Sequence, residues 1–302
     1  MVDGRRALDD VGKEKLTQIL WRLAPFCGIE VITYCMMSNH FHLLLRVPEA
    51  SVLTDEELMS RLTAFYGEKG AKVTQARQSI KDQGKIDETL RQNILSRMGD
   101  ISVFMKEFKQ QFSCWHNRQH ERVGTLWAER FKCVLVEEQP SAMEAVAAYI
   151  DLNPVRAGMV EDPKDYRFCG YASALAGNKQ LQAGILSFQR EKTWTAAAKE
   201  YRMRLFVGAG VSGNSGKAML DRAKIKAVLD KGGKLSFGEA MMLRIRHMSD
   251  GVAIGSKEFV NEVFVQYRDR FGKNRKEGAR PIKVLAMLGL KALRDLKVNA
   301  VG

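Results

Sequence analysis

The stretch Thr33–Glu49, TYCMMSNHFHLLLRVPE, places two histidines where a core strand would take valine. Side chains at i and i+2 of a strand share a face, so His40 and His42 lie together while Phe41 points the other way and Leu43, Leu44 and Leu45 continue the apolar run. Two neutral imidazoles on one face can chelate one divalent ion, provided a third group arrives from elsewhere. The same spacing also serves a pair of partly buried, hydrogen-bonded histidines. A second polar pair stands in AAYIDLNPVRAG, where Tyr149 and Asn153 are four residues apart. A helix would present their phenol and amide oxygen on one face, one turn apart. Tyr149, flanked by Val146 and Ile150, also fits a core aromatic. His116 and His120 offer another chelating spacing, HxxxH, but Asn117, Arg118 and Gln119 fill the interval where zinc hydrolases carry glutamate. That stretch reads as a polar, phosphate-facing helix end.

The elements that must position these groups follow from periodicity. DDVGKEKLTQILWRLAPFCG carries Val11, Leu16, Ile19, Leu20 and Leu23 at helical spacing and stops at Pro25 and Gly28. IEVITYCMM and HFHLLLRV form a hairpin around Ser38-Asn39. Residues 51–100 are charged and helical, an inserted excursion. The next helix sets Val103, Phe104, Phe108, Phe112 and Trp115 against polar residues, and RFKCVLVEE reads as a strand with Phe131, Cys133 and Leu135 opposite Lys132 and Val134. Ser141 with Glu144 forms a capping box for the helix bearing Tyr149, which Pro154 ends. A second box, Ser236 with Glu239, opens a helix followed by the turn GVAIG and the helix SKEFVNEVFVQYRDRF, the outline of a helix-turn-helix in a helical tail.

The chain of 302 residues is 45% hydrophobic and 27% charged, ordinary globular composition, with a formal charge of +13. Such a field attracts polyanions, nucleic acid first. No apolar run approaches the roughly 20 residues that span a bilayer, and MVDGRRALDD has no secretory apolar core. Five cysteines without CxxC spacing predict buried thiols in a reducing cytoplasm.

Three fragments in order, YCMMSNHFHLLLRVPE, GTLWAERFKCVLVE and AYIDLNPVRAGMVEDPKDY, resemble the REP-associated tyrosine transposases, a branch of the single-tyrosine HUH transposases. The resemblance runs from about Val2 to Leu175. It implies an α+β class with a ferredoxin-like βαββαβ core over residues 1–178; the pattern along the chain adds a linker at 179–216 and a helical domain at 217–302. It implies that His40 and His42 are the HUH pair, Asn153 the third metal ligand and Tyr149 the nucleophile, forming a 5′-phosphotyrosine and a free 3′-hydroxyl. The implied cofactor is Mg2+ or Mn2+, although two nitrogens and an amide oxygen suit manganese or zinc better than magnesium. The implied partner is single-stranded or hairpin DNA, bound by a monomer or homodimer. Lys106, Lys109, Arg118, Trp127, Arg130, Lys132 and Arg156 are the candidates for phosphate and base contacts. Family members begin with a central strand that this chain lacks, which predicts either a start codon upstream of Met1 or a decayed copy. The rival reading is a DNA-hairpin-binding protein without catalysis; a metal-dependent hydrolase using water ranks behind both.

Overall fold

The computed structural model describes residues 8–49, 52–206, 247–282, 285 and 288–295. The fold is mixed α and β, mostly helical, with small sheets. It divides into two compact units, residues 1–32 with 36–130 and residues 33–35 with 131–302.

In the first unit, helix α1 (Asp10–Phe26) starts where the Asp9 carboxylate accepts from Gly12 N at 2.8 Å. It buries Leu16, Ile19, Leu20 and Leu23; Val11, expected on that stripe, is exposed because it falls on the outward side of the first turn, whose Gly12 and Lys13 are buried. Strands β1 (Glu30–Met36) and β2 (Phe41–Arg46) pair as the expected hairpin. Met37 N donates to His40 O at 2.8 Å and closes the turn over Ser38-Asn39.

The insertion folds as α2 (Asp55–Tyr66), α3 (Ala71–Gln83) and α4 (Glu88–Leu95), the first opened by a full capping box of Thr54 and Glu57. Helix α5 (Ile101–Gln119) repeats Phe104, Phe108 and Phe112 every four residues, and all three are fully buried. Burial at roughly 1.5–3 kcal/mol per large apolar side chain makes this stripe a principal anchor of the unit.

The second unit holds α6 (Pro140–Asp151), α7 (Asn153–Arg156), α8 (Gly170–Leu175), α9 (Lys179–Leu186) and α10 (Trp194–Phe206). Helix α8 approaches residues 33–34 so closely that a Cβ on Gly170 would collide with Thr33 Oγ1 and come within 2.9 Å of Tyr34 N. Beyond the undescribed segment come α11 (His247–Asp250) and α12 (Lys257–Gln266). Strands β3 (Leu135–Val136), β4 (Ala253–Gly255), β5 (Arg280–Pro281) and β6 (Lys291–Leu293) form one sheet in the order β3-β4-β6-β5. The β3–β4 pair is parallel and the others antiparallel.

Several expectations need correcting. The tail is not purely helical: GVAIG contains β4, whose Ala253 and Ile254 are fully buried and pair with Leu293 and Ala292. A strand therefore stands where the helix-turn-helix needs its turn, while that motif's first helix and the Ser236–Glu239 box fall largely outside the described residues. The strand expected across RFKCVLVEE shrinks to β3, which runs beside β4; Lys132 and Cys133 are both exposed and give no apolar face to bury. The Ser141–Glu144 box does not form, because α6 begins two residues earlier, with Gln139 as N-cap and Pro140 in its first turn. Glu144 instead meets Arg204 at 3.0 Å and Gln189 at 3.2 Å. Cys27, Cys35 and Cys169 are buried as expected, but Cys114 and Cys133 are exposed.

Candidate functional site

The imidazole pair sits at the hairpin. Phe41, between the two histidines, packs edge-on against Phe108 of α5 at 5.2 Å and against Trp127 at 5.5 Å. Strand alternation then places His40 and His42 together on the opposite face. Their ring centroids are 4.9 Å apart at 89°, and both rings are half-buried. His40 Nδ1 lies 2.6 Å from Asn39 Oδ1. A carbonyl oxygen only accepts, so Nδ1 is the donor in this contact, and in the neutral ring Nε2 is then the acceptor. An amide oxygen that fixes the tautomer in this way is the outer support typical of a metal-ligating histidine. The sequence carries no signal for this role of Asn39 beyond its place in the turn.

The tyrosine group sits where α6 ends. Pro154 cannot continue α6, so the chain breaks at Leu152 and restarts as α7. Asn153 bridges the break: its Nδ2 donates to Tyr149 O at 3.0 Å and to Ile150 O at 3.3 Å, satisfying carbonyls that the break leaves open. Its Oδ1 accepts from Arg156 Nη2 at 2.5 Å. Because a guanidinium only donates and a carbonyl only accepts, these bonds fix the amide's orientation. The Arg156 guanidinium also lies over the Tyr149 ring, 3.8 Å from its centroid. Tyr149 is 3% exposed and Asn153 8%.

Asp151, on the same turn, is fully buried. Its carboxylate accepts from Thr33 Oγ1 at 2.7 Å and from Tyr201 OH at 2.7 Å. Burial pushes its pKa up to about 6, opposed by those hydrogen bonds and one from the Tyr171 backbone. The one signal for it in the sequence is a carboxylate inside the otherwise apolar AAYIDL.

The candidate phosphate-contacting residues fall in several places. Lys106 and Arg118 are exposed on α5, and Arg118 Nε donates back to Cys114 O at 3.1 Å. Lys109 donates to Glu129 O at 2.7 Å and lies 5.4 Å over Trp127. Burial, with Arg130 nearby, lowers its pKa. Trp127 packs against Phe41 and against Phe112 at 5.7 Å, and its Nε1 donates to Lys109 O at 3.1 Å. Arg130 is exposed, and Lys132 pairs with Asp250 at 2.9 Å. His116 and His120 stack with centroids 4.2 Å apart, the former buried and the latter exposed.

No family model, curated protein or solved structure matches the chain.

Among the described residues no group of three or more histidine, cysteine, aspartate or glutamate side chains is gathered to hold an ion, which leaves amide, water or substrate oxygens as further donors. The imidazole pair fits a divalent ion by donor chemistry, with the Asn39 contact orienting His40. Asn153 fits less simply, since one lone pair of Oδ1 is engaged by a cation. Among the described residues no helix is long and apolar enough to cross a membrane.

Proposed function

We propose that this protein is a metal-dependent DNA strand transferase that works through a 5′-phosphotyrosine on single-stranded or hairpin DNA, with a ferredoxin-like βαββαβ core of the single-tyrosine HUH kind. The observation that carries the reading is the His40–His42 pair, its rings 4.9 Å apart, with the Asn39 amide oxygen held at His40 Nδ1. In this reading His40, His42 and Asn153 hold Mg2+ or Mn2+, which when bound polarises a non-bridging phosphate oxygen. Tyr149 Oη attacks phosphorus in line, the P–O3′ bond breaks, and the departing 3′-oxygen takes up a proton. The phosphotyrosine conserves the bond's energy, so a 3′-hydroxyl from another strand can reverse the step without ATP. An ordinary phenol titrates near pH ~10, so its proton must be removed as the bond forms. The chemistry requires the imidazoles and the Tyr149–Asn153 edge to act on one phosphate.

The test is covalent capture. The full chain is incubated with manganese and end-labelled hairpin DNA and resolved under denaturing conditions. A labelled adduct that disappears in both Tyr149→Phe and His42→Ala supports the proposal. DNA cleavage that survives Tyr149→Phe would instead indicate attack by water and end the tyrosine reading.

A second reading, DNA binding without catalysis, is favoured by the loop from Tyr267 to Arg280. Arg268 donates to Gly272 O and Lys273 O at 3.2 and 2.7 Å, and Asn261 Oδ1 accepts from Gly278 N and Ala279 N at 3.1 and 3.0 Å, so the loop is built rather than loose. It leaves Arg270, Lys273, Lys276 and Arg280 exposed beside an exposed Tyr267. Tight binding of hairpin DNA with no adduct would select this reading.

A further inference from the structure

Resting on the reading of Tyr149 and Asn153 given above, we propose that Arg156 is a phosphate-released latch that makes metal binding at Asn153 depend on DNA. The same guanidinium lies 2.5 Å from Asn153 Oδ1 and 3.8 Å from the centroid of the Tyr149 ring. It thereby occupies the oxygen a divalent ion would need and covers a face of the residue that must attack. Asn153 cannot offer a substitute atom, because its Nδ2 is held by the Tyr149 and Ile150 carbonyls. A divalent ion on Oδ1 would also face a full positive charge within a few ångströms, in surroundings where Tyr149 is 3% and Asn153 8% exposed and water screens poorly.

A phosphodiester resolves this conflict. Guanidinium binds phosphate oxygens with a paired, charge-assisted geometry that an amide oxygen and a ring face cannot equal. The incoming anion draws Arg156 off Asn153 and Tyr149, frees Oδ1 for the ion and screens the two positive charges from each other. Arg156 is then a positioning residue: it keeps the tyrosine covered until a phosphate has arrived. The i, i+3 step from Asn153 to Arg156 in α7 sets this contact, and Pro154, by starting a new helical segment there, places both residues in one turn.

The experiment measures Mn2+ binding, not turnover. Loss of the free Mn2+ paramagnetic resonance signal is titrated on the full, metal-free chain, carrying Tyr149→Phe so that no covalent step intervenes. Arg156→Gln keeps a polar side chain but removes the charge, Arg156→Ala is the second variant, and melting temperatures confirm folding. Without DNA, both variants should bind Mn2+ about ten- to a hundredfold tighter than the Arg156 chain, the scale on which outer supports tune metal sites. Adding a short oligothymidine, with its own Mn2+ uptake subtracted, should tighten binding in the Arg156 chain and leave the variants unchanged. Adding Asn153→Ala should cancel the gain. If the Arg156 chain binds Mn2+ through His40 and His42 as tightly as its variants, with or without DNA, the latch is wrong while the metal reading stands. If no variant binds Mn2+ in a way that His42→Ala abolishes, the metal reading itself fails, and the latch with it.

Discussion

Asp151, the last residue of α6, accepts a 2.7 Å hydrogen bond from the hydroxyl of Thr33 in β1, a partner 118 positions earlier in the chain. The contact lies within the second unit and ties the helix that carries Tyr149 to the segment Thr33–Cys35. With the Tyr201 hydroxyl on the other oxygen, both carboxylate oxygens are engaged.

This pairing predicts an inverted pH response. The folded carboxyl titrates at about 6 against an ordinary 3.8, so at pH 7 the folded state carries a buried charge that costs about 3 kcal/mol relative to the same group in water. As pH falls through 6 toward 3.8, the folded chain takes up a proton the unfolded chain does not yet bind, and the penalty is relieved. From pH ~7.5 to ~5 this group should add about 1.4 kcal/mol to unfolding stability. Asp151→Asn should lack that increment. Urea unfolding of the metal-free proteins at both values checks it, and parallel pH profiles would refute the assignment.

A second prediction concerns Asn39. If its amide fixes the His40 tautomer, Asn39→Ala should weaken Co2+ or Mn2+ binding about ten- to a hundredfold, leaving the melting temperature nearly unchanged. His42→Ala should abolish the binding. Visible absorption of bound Co2+ reads both, and an Asn39→Ala protein with undiminished affinity would mean that the ring is oriented by something else.

Trp127 separates packing from DNA stacking. Its ring contacts Phe41 and Phe112, with Nε1 bonded to the Lys109 carbonyl. Trp127→Ala should cost about 2–4 kcal/mol, the lower part of the usual range for a large aromatic because the residue is half-buried. Trp127→Leu should restore part of that and leave affinity for single-stranded DNA within about threefold, well inside the loss expected if a base stacked on the indole, since such stacking is worth about 1–3 kcal/mol. A tenfold or larger drop in DNA affinity in the leucine variant, with the protein folded, would make Trp127 a base platform.

What was legible in the sequence is what local physics decides. The hairpin shows in its β-rich runs and the Ser38-Asn39 turn, α5 in its phenylalanines every fourth residue, and the insertion in its charged helical faces; each can be read within about twenty residues. The elements missed depend on distant partners. Strand β4 has only three residues and exists because residues 135–136 and 291–293 flank it, so in isolation GVAIG looks like a turn. The Arg156 contacts with Tyr149 and Asn153 were hidden for a subtler reason: Pro154 was legible as the end of a helix, but not as the start of a new turn that holds both Asn153 and Arg156. The Asp151 network was hidden because Thr33 and Tyr201 lie far away on either side.

The loop after α12 supports a last prediction, which bears on DNA binding whether or not chemistry occurs. Arg275 is a strut, bonded to the Glu277, Gly278 and Arg294 carbonyls and lying over Phe271 at 5.1 Å, so its replacement would unmake the loop. Lys273 and Lys276 are exposed, and among the described residues no such role holds them. Reversing both, Lys273→Glu with Lys276→Glu, should leave the melting temperature within a degree or two and weaken single-stranded DNA binding uniformly across sequences. Each phosphate left without its lysine should also flatten the slope of log affinity against log salt by about 0.7, so a pair of phosphates changes it by about 1.4. An unchanged slope, with affinity unchanged at low salt, would return these lysines to plain surface charge. Adduct formation on a short oligonucleotide that reaches only Tyr149 should be insensitive to the pair, because the step at phosphorus asks nothing of a cation bound elsewhere on the strand.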